Sequence, residues 1–258
     1  MADIGQTRLA NSPSTIGRLP IVGATTIRTA IRPVLDTPRW PTQTISQRSS
    51  APSVSAKVVV IGHSYGALTA LFLAVNHKEL VRALVLTEPP AISLLEHLPG
   101  DRAQTGEAMF QDIQRRMVAP MQQAFRRGDR DAGVGVFMAY VFNDPHAWDQ
   151  MAKLARDETL RDAHEWDVMM TTGMLFPNIE PRAIQKITAP VLLLSGAKSD
   201  PFLAPISEEL ARLLPNGEEI ILPDAGHQMW YQAPDVCRKD VETFLGRIGI
   251  QPSTGSGL

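Results

Sequence analysis

The chain has 258 residues, of which 44% are hydrophobic and 20% charged, with a formal net charge of −2 and a single cysteine. That composition excludes disorder throughout and supplies enough apolar surface for a sizeable core. The near-neutral balance gives no electrostatic reason to expect nucleic acid or an anionic membrane as partner, and a lone Cys237 excludes an internal disulfide and reads as a buried, inert thiol.

Residues 1–55 stand apart: they hold six Arg but no Lys, Glu, Phe, Tyr or His, and Ser, Thr and Pro fill 21 positions. Pro20, Pro33, Pro38 and Pro41 interrupt every short apolar piece, so this segment is expected to be weakly ordered. From Lys57 the pattern changes to Val58-Val59-Val60-Ile61, a continuous apolar run suited to a strand buried on both faces of a parallel sheet. A helix is predicted over 67–76 and a second buried strand over 83–86, at a spacing that allows a right-handed β–α–β crossover.

Further strands are predicted over 191–194 and 219–222, with helices over 205–214 and 234–245. Between the second and third strands, residues 91–189 show helical periodicity, with expected pieces over 106–127, 130–141, 145–157 and 160–173. This stretch carries eight of the ten methionines, residues that usually fill core gaps at helical spacing and can also make an adaptable pocket wall. The expected organisation is an α/β core over 56–90 and 181–248, a helical unit over 91–180 and a flexible tail over 249–258. No apolar stretch reaches membrane-span length, and the first residues lack the pattern of a signal peptide, so cytoplasmic residence is the default expectation.

Chemistry concentrates at Gly62-His63-Ser64-Tyr65-Gly66. A Gly-x-Ser-x-Gly string occurs by chance in roughly one chain in ten of this length. Here it lies between a buried strand and an Ala/Leu-rich helix, where a sharp turn exposes the serine oxygen and the helix start favours developing negative charge. A serine hydroxyl needs a base, and His227 fits, in the loop Pro223-Asp224-Ala225-Gly226-His227 just after a predicted strand. His63 is adjacent to the serine in the turn, His77 ends a helix, and His97, His146 and His164 lie in polar helical stretches, so all are poorer candidates. The base needs a carboxylate. Asp200 leads, following the strand 191–194 and giving the order Ser, Asp, His. Glu88, just past the strand 83–86, is the alternative acid, and Asp224 reads as a turn former. No cofactor-binding or metal-ligating pattern is present.

Together these features resemble the α/β-hydrolase superfamily, in particular its esterase, haloperoxidase-like and carbon–carbon-bond hydrolase branches, over about residues 57–247. Supporting likenesses are the Gly-His-Ser-Tyr-Gly-Ala elbow, Ile187-Thr188-Ala189-Pro190 before the next strand, Gly226-His227, and the closing Phe244-Leu245. The resemblance implies a mostly parallel sheet with residues 91–180 as a cap over the site, and gives one oxyanion donor to the N–H of Tyr65.

Three departures stand out. The place that many relatives give to the acid is held by Ser199, one residue before Asp200. No His-Gly run precedes the elbow to supply a second oxyanion donor. The strands that the family places before the elbow are expected to be missing or disordered in residues 1–55.

The expected activity is hydrolysis of a small or medium carboxylic ester through an acyl-enzyme. Its substrate is a small-molecule apolar ester or acyl compound contacting Met138, Trp148, Trp166, Met170 and Trp230. Carbon–carbon-bond hydrolysis or acyl transfer on the same residues, and a non-catalytic binding protein, are the alternatives.

Overall fold

The computed structural model is described for residues 57–250, residues 173 and 174 and the side chains at 162, 164, 165 and 171 excepted. The expectations for residues 1–55, for the tail beyond 250 and for the His164 side chain lie outside the described residues.

The strands β1 (Val58–His63), β2 (Val81–Thr87), β3 (Val191–Gly196) and β4 (Gly217–Leu222) form one parallel sheet in that order. Each forms where Val, Ile and Leu cluster without Pro; β1, β3 and β4 end at loops holding Gly, Ser or Asp, and β2 ends at Glu88-Pro89-Pro90. Alternate residues Ala83, Val85, Leu192 and Leu194 join one apolar cluster with Leu222, Met229, Cys237, Val241 and Phe244. Their neighbours Leu84, Leu86, Val191 and Leu193 point the other way and are equally inaccessible, so β2 and β3 are buried on both faces. Cys237 is fully buried in the first of these layers, and burial pushes its thiol above the ordinary value, in keeping with an inert sulfur. Among the described residues β1 pairs with β2 alone, and Ile61 is 52% exposed.

Helix α1 (Tyr65–Asn76) leaves β1 after a single intervening residue and packs on β1 and β2 through Ala67, Leu68, Leu71 and Ala74. The stretch between β2 and β3 is helical throughout its main part, as its periodicity predicts. It begins with 3₁₀ turns at Ile92–His97 and Gly100–Arg102 and continues as α2 (Ala103–Ile113) and α3 (Ala119–Arg126). There follow α4 (Arg130–Val141), α5 (Ala147–Gln150), α6 (Lys153–Thr172) and α7 (Pro181–Ile184). The start of α4 is set by Asp129, whose Oδ1 accepts the Ala132 N–H at 3.0 Å. The core closes with α8 (Leu203–Leu213), α9 (Met229–Gln232) and α10 (Pro234–Arg247).

Two expected pieces of the insertion are redrawn. The helix predicted over 106–127 is divided by a π turn at Gln114–Val118, which is followed by Ala119 and Pro120. Proline offers no N–H to the preceding turn, and the widened turn takes up that mismatch without ending the helix. The break predicted between 157 and 160 falls instead at Met151, which is extended, so that α6 runs unbroken for 20 residues. Asp157-Glu158-Thr159-Leu160 contains no helix breaker, which is why the helix continues.

A buried carboxylate ties the insertion to the core. Glu209 on α8 is fully buried and accepts from Arg212 Nε and Nη2 at 2.9 and 2.6 Å, while Arg102 in the insertion reaches it at 3.5 Å and Glu208 at 2.9 Å. Within the insertion, Trp166 stands edge-on to Phe137, with ring centroids 5.0 Å apart, and tilts against Phe125.

Candidate active site

Strand register assembles the site. His63 pairs with Thr87 at the ends of β1 and β2, and the Ser64 N–H extends the ladder by donating to Thr87 O at 2.8 Å. One strand further, the Glu88 N–H donates to Leu194 O at 3.2 Å. Ser64 and Glu88 are therefore the first residues past two neighbouring parallel strands, at the sheet edge where open α/β sheets place their ligands. Both take positive φ, 53° at Ser64 and 45° at Glu88, a region costly for residues with a Cβ.

The turn at Ser64 depends on a close approach. A Cβ on Gly62 would lie 2.5 Å from Gly66 O and 2.7 Å from the Ala67 Cα, so only glycine lets β1 and the start of α1 meet. A Cβ on Gly66 would meet nothing within 4 Å, so the second glycine of the motif is not demanded by space. Tyr65 is the first residue of α1, its backbone N–H at the positive end of the helix, and burial raises the pKa of its phenol.

His227 is half-buried in the loop after β4, and its Nδ1 lies 2.6 Å from Glu88 Oε2. A carboxylate only accepts, so Nδ1 carries the hydrogen and donates it, and in the neutral ring Nε2 then holds the lone pair. Glu88 is itself 1% exposed, and its other oxygen, Oε1, accepts the Gly196 N–H at 2.8 Å. Behind this pair, Thr87 Oγ1 accepts the Trp230 indole N–H at 3.1 Å. The His227 loop is fastened to β3 by Lys198 N–H to Ala225 O at 2.9 Å and to α9 by Gly226 N–H to Gln232 Oε1 at 2.8 Å.

The carboxylate on His227 is thus Glu88 and not the expected Asp200. Among the described residues the Asp200 carboxyl makes no hydrogen bond, although it lies within electrostatic reach of both His227 and Glu88. Burial pushes its pKa above the ordinary value, His227 pulls it down and Glu88 pushes it up. The reason is geometric: Glu88 leaves the neighbouring strand with its backbone turned into the left-handed region, and the end of β3 offers it a backbone N–H. Ser199 buries its Oγ without a hydrogen-bond partner among the described residues. Asp224 is exposed, with Lys198 Nζ 3.1 Å away, as a turn former would be. His77, His97 and His146 are exposed.

The residues expected to contact substrate are dispersed. Trp148 and Met170 are 5% and 3% exposed and fill the insertion, Trp148 with its N–H on Asp131 at 3.2 Å and Arg156 over its ring at 4.8 Å. Trp230 lies against the apolar layer under α10, supporting the end of β2. Trp148 and Met170 are buried in packing contacts, where a large apolar side chain gains most, and Trp230 is partly buried against the core layer. Met138 and Trp166 remain half-buried on α4 and α6.

Tyr140, Phe202 and His63 lie near the site and were not legible as site residues beforehand. Tyr140 on α4 approaches Phe202, with ring centroids 6.2 Å apart, and joins the insertion to the Asp200 loop. Its hydroxyl is pushed up to about 12 by burial, then by the charges of Asp112 and Asp200, while Arg116, 5.4 Å from the ring centre, opposes them. The third is His63, whose only sequence signal was adjacency to Ser64. Among the described residues no group of three or more His, Cys, Asp or Glu is placed to hold a metal ion, and no helix is long and apolar enough to cross a membrane.

Comparison with known proteins decides the family. The model of the alpha/beta hydrolase family matches residues 18–239. The chain belongs to the alpha/beta hydrolase family. The family match begins inside the segment set apart by composition, well before the elbow. A candidate 2-succinyl-6-hydroxy-2,4-cyclohexadiene-1-carboxylate synthase of Bacillus subtilis (strain 168) is 30% identical over 203 residues, 74% of this chain and 67% of that protein. The sn-1-specific diacylglycerol lipase ABHD11 of Mus musculus is 25% identical over 194 residues, 72% of this chain, which spans 58% of the length of that relative. Among solved structures, MenH from S. aureus superposes with a TM-score of 0.52 at 17% identity, covering 87% of this chain and 74% of its own. That likeness is one of fold.

Proposed function

We propose that this alpha/beta hydrolase is a serine hydrolase that cleaves a small or medium carboxylic ester through an acyl-enzyme on Ser64, His227 and Glu88. The observation that carries the reading is the 2.6 Å contact from His227 Nδ1 to the buried Glu88 carboxylate, beside a serine held at φ 53° in a strand-to-helix elbow. In this reading His227 Nε2 takes the Ser64 proton as Oγ attacks the ester carbonyl, and Glu88 steadies the imidazolium that forms. The backbone N–H of Tyr65, at the start of α1, donates to the developing oxyanion. The protonated His227 returns its proton to the leaving alkoxide. Water, deprotonated by the same Nε2, then attacks the acyl carbon, and Ser64 leaves with the proton as the carboxylic acid is released.

Met138 and Trp166 are proposed to offer apolar surface to the acyl group from the helical insertion, acting as a cap, with Tyr140 where α4 meets the Asp200 loop. The diacylglycerol lipase relative, an ester hydrolase by its name, favours ester cleavage. A second reading is carbon–carbon-bond cleavage or acyl transfer on the same three residues, kept because the other relative is by its name a synthase and not an ester hydrolase.

The test is turnover of p-nitrophenyl acetate and butyrate by the full chain, together with labelling by a fluorophosphonate probe. Labelling of wild type that is lost in Ser64→Ala, with ester turnover, is the expected result. Absence of labelling in wild type, or equal labelling of Ser64→Ala, overturns the proposal, and labelling without ester turnover moves the assignment to the second reading.

A further inference from the structure

We infer that His63 is a positioning residue that sets the placement of His227, and that a charge on its own ring would stand against the imidazolium that His227 forms. The inference rests on the serine-hydrolase reading. His63 Nε2 lies 2.8 Å from the backbone oxygen of His227, 164 residues away in sequence, and the two rings lie 4.7 Å apart at 37°. A carbonyl only accepts, so Nε2 of His63 carries the hydrogen, and in the neutral ring Nδ1 does not. The residue immediately before the serine therefore grips the main chain of the base itself. Elbow and histidine loop are held in one frame, and an error of about 1 Å between such groups costs on the order of 100-fold in rate.

The same closeness makes the device sensitive to charge. His227 becomes an imidazolium during each proton transfer, and a charged His63 would place a second cation against it. The titratable groups acting on His63 are His227 from the loop after β4 and Glu88 from the end of β2, with Asp200 acting on both of these. Burial is the largest influence on the His63 ring and holds its pKa below the ordinary value; the hydrogen bond to the His227 carbonyl and the Glu88 charge oppose this, and His227 adds to it. The ring is accordingly kept neutral where a hydrolase of this kind would work.

The experiment compares full-length wild type, His63→Ala, His63→Gln and Ser64→Ala in fluorophosphonate labelling and in p-nitrophenyl butyrate turnover from pH 5 to pH 9. Gln supplies an N–H at the reach of Nε2 but does not titrate. The expected result is a loss of roughly 10- to 100-fold in kcat for His63→Ala with KM changed less than about threefold. His63→Gln should recover to within about fivefold of wild type at pH 8. Its acid limb should follow one proton, where the wild type steepens towards two. Wild-type labelling with an unimpaired His63→Ala overturns this inference while leaving the hydrolase reading intact; an unlabelled wild type overturns both. Should His63→Ala fail to fold, His63→Gln decides, and an acid limb identical to that of wild type overturns the inference.

Discussion

The Gly196 N–H donates to Oε1 of Glu88 at 2.8 Å, while Oε2 faces the His227 ring, so the carboxylate is held from both sides. A backbone donor at the end of β3 thus fixes a side chain that begins at the end of β2. The grip explains how a glutamate, with one more rotatable bond than an aspartate, can present a single oxygen to an imidazole. Residue 196 must be glycine for a separate reason: a Cβ there would lie 2.5 Å from Ala225 O and 2.8 Å from Ser199 Oγ.

Glu88→Ala is expected to lower kcat for p-nitrophenyl butyrate by about 10³- to 10⁴-fold, the scale seen when the orienting acid of such a triad is disabled. Asp200→Ala is expected to stay within about fivefold of wild type. Steady-state kinetics on the two single variants checks this, and the reverse ranking would return the acid to Asp200.

Asp200→Asn should leave thermal stability at pH 7 unchanged or raised. The folded carboxyl is pushed above the ordinary value of 3.8, chiefly by burial. The folded state therefore binds its proton more readily than the unfolded chain, and the ionised form is penalised above that range. Melting curves at pH 7 test the sign; a clear loss of Tm would show a bond to Asp200 that the geometry lacks.

The His63 ring carries the opposite linkage. Its pKa is lowered from the ordinary 6.5, so between 6.5 and the lower folded value the unfolded chain binds more protons, and stability rises with pH. The full stability is present above about pH 6.5 and is lost as pH falls through the folded value. His63→Gln should flatten the dependence of Tm on pH below that point, measured by thermal melts between pH 5 and 7.

The two motif glycines should separate cleanly. Gly62→Ala is expected to destabilise by about 1–3 kcal/mol or more, because the clash is with backbone that cannot step aside. Gly66→Ala meets open space inside a helix and should be neutral or stabilising by up to about 1 kcal/mol. Urea unfolding of each variant gives both values.

Removing the arginines on Glu209 singly should cost about 1 kcal/mol or less, since each is partly exposed and screened. Arg102→Ala with Arg212→Ala strands a fully buried carboxylate and should cost about 3–5 kcal/mol, more than the sum of the single changes, by urea unfolding.

Much of the architecture was readable locally. The runs at 83–86 and 191–194 became strands because continuous branched and Leu residues have no other way to be buried on both faces; the run at 58–61 is a strand too, but with Ile61 52% exposed it is not buried on both faces as expected. The elbow and His227 were found because a turn, a strand end and a nearby glycine are short-range features. Trp148, Trp166, Trp230 and Met170 were harder to place, because an apolar side chain on a helix looks the same whether it faces a ligand or a neighbouring helix.

Sequence by itself determined that Ser64 and His227 would follow strands of one parallel sheet, since local periodicity and turn chemistry suffice for that. It also placed two acids, Glu88 and Asp200, past neighbouring strand ends, and there its power to choose stopped. Only the tertiary structure decided between them: the register of β2 against β3, the positive φ of Glu88 and the N–H of Gly196 lie 108 residues apart in sequence but converge at one point. The partner of a histidine is set by distance and angle, and those belong to the packed sheet.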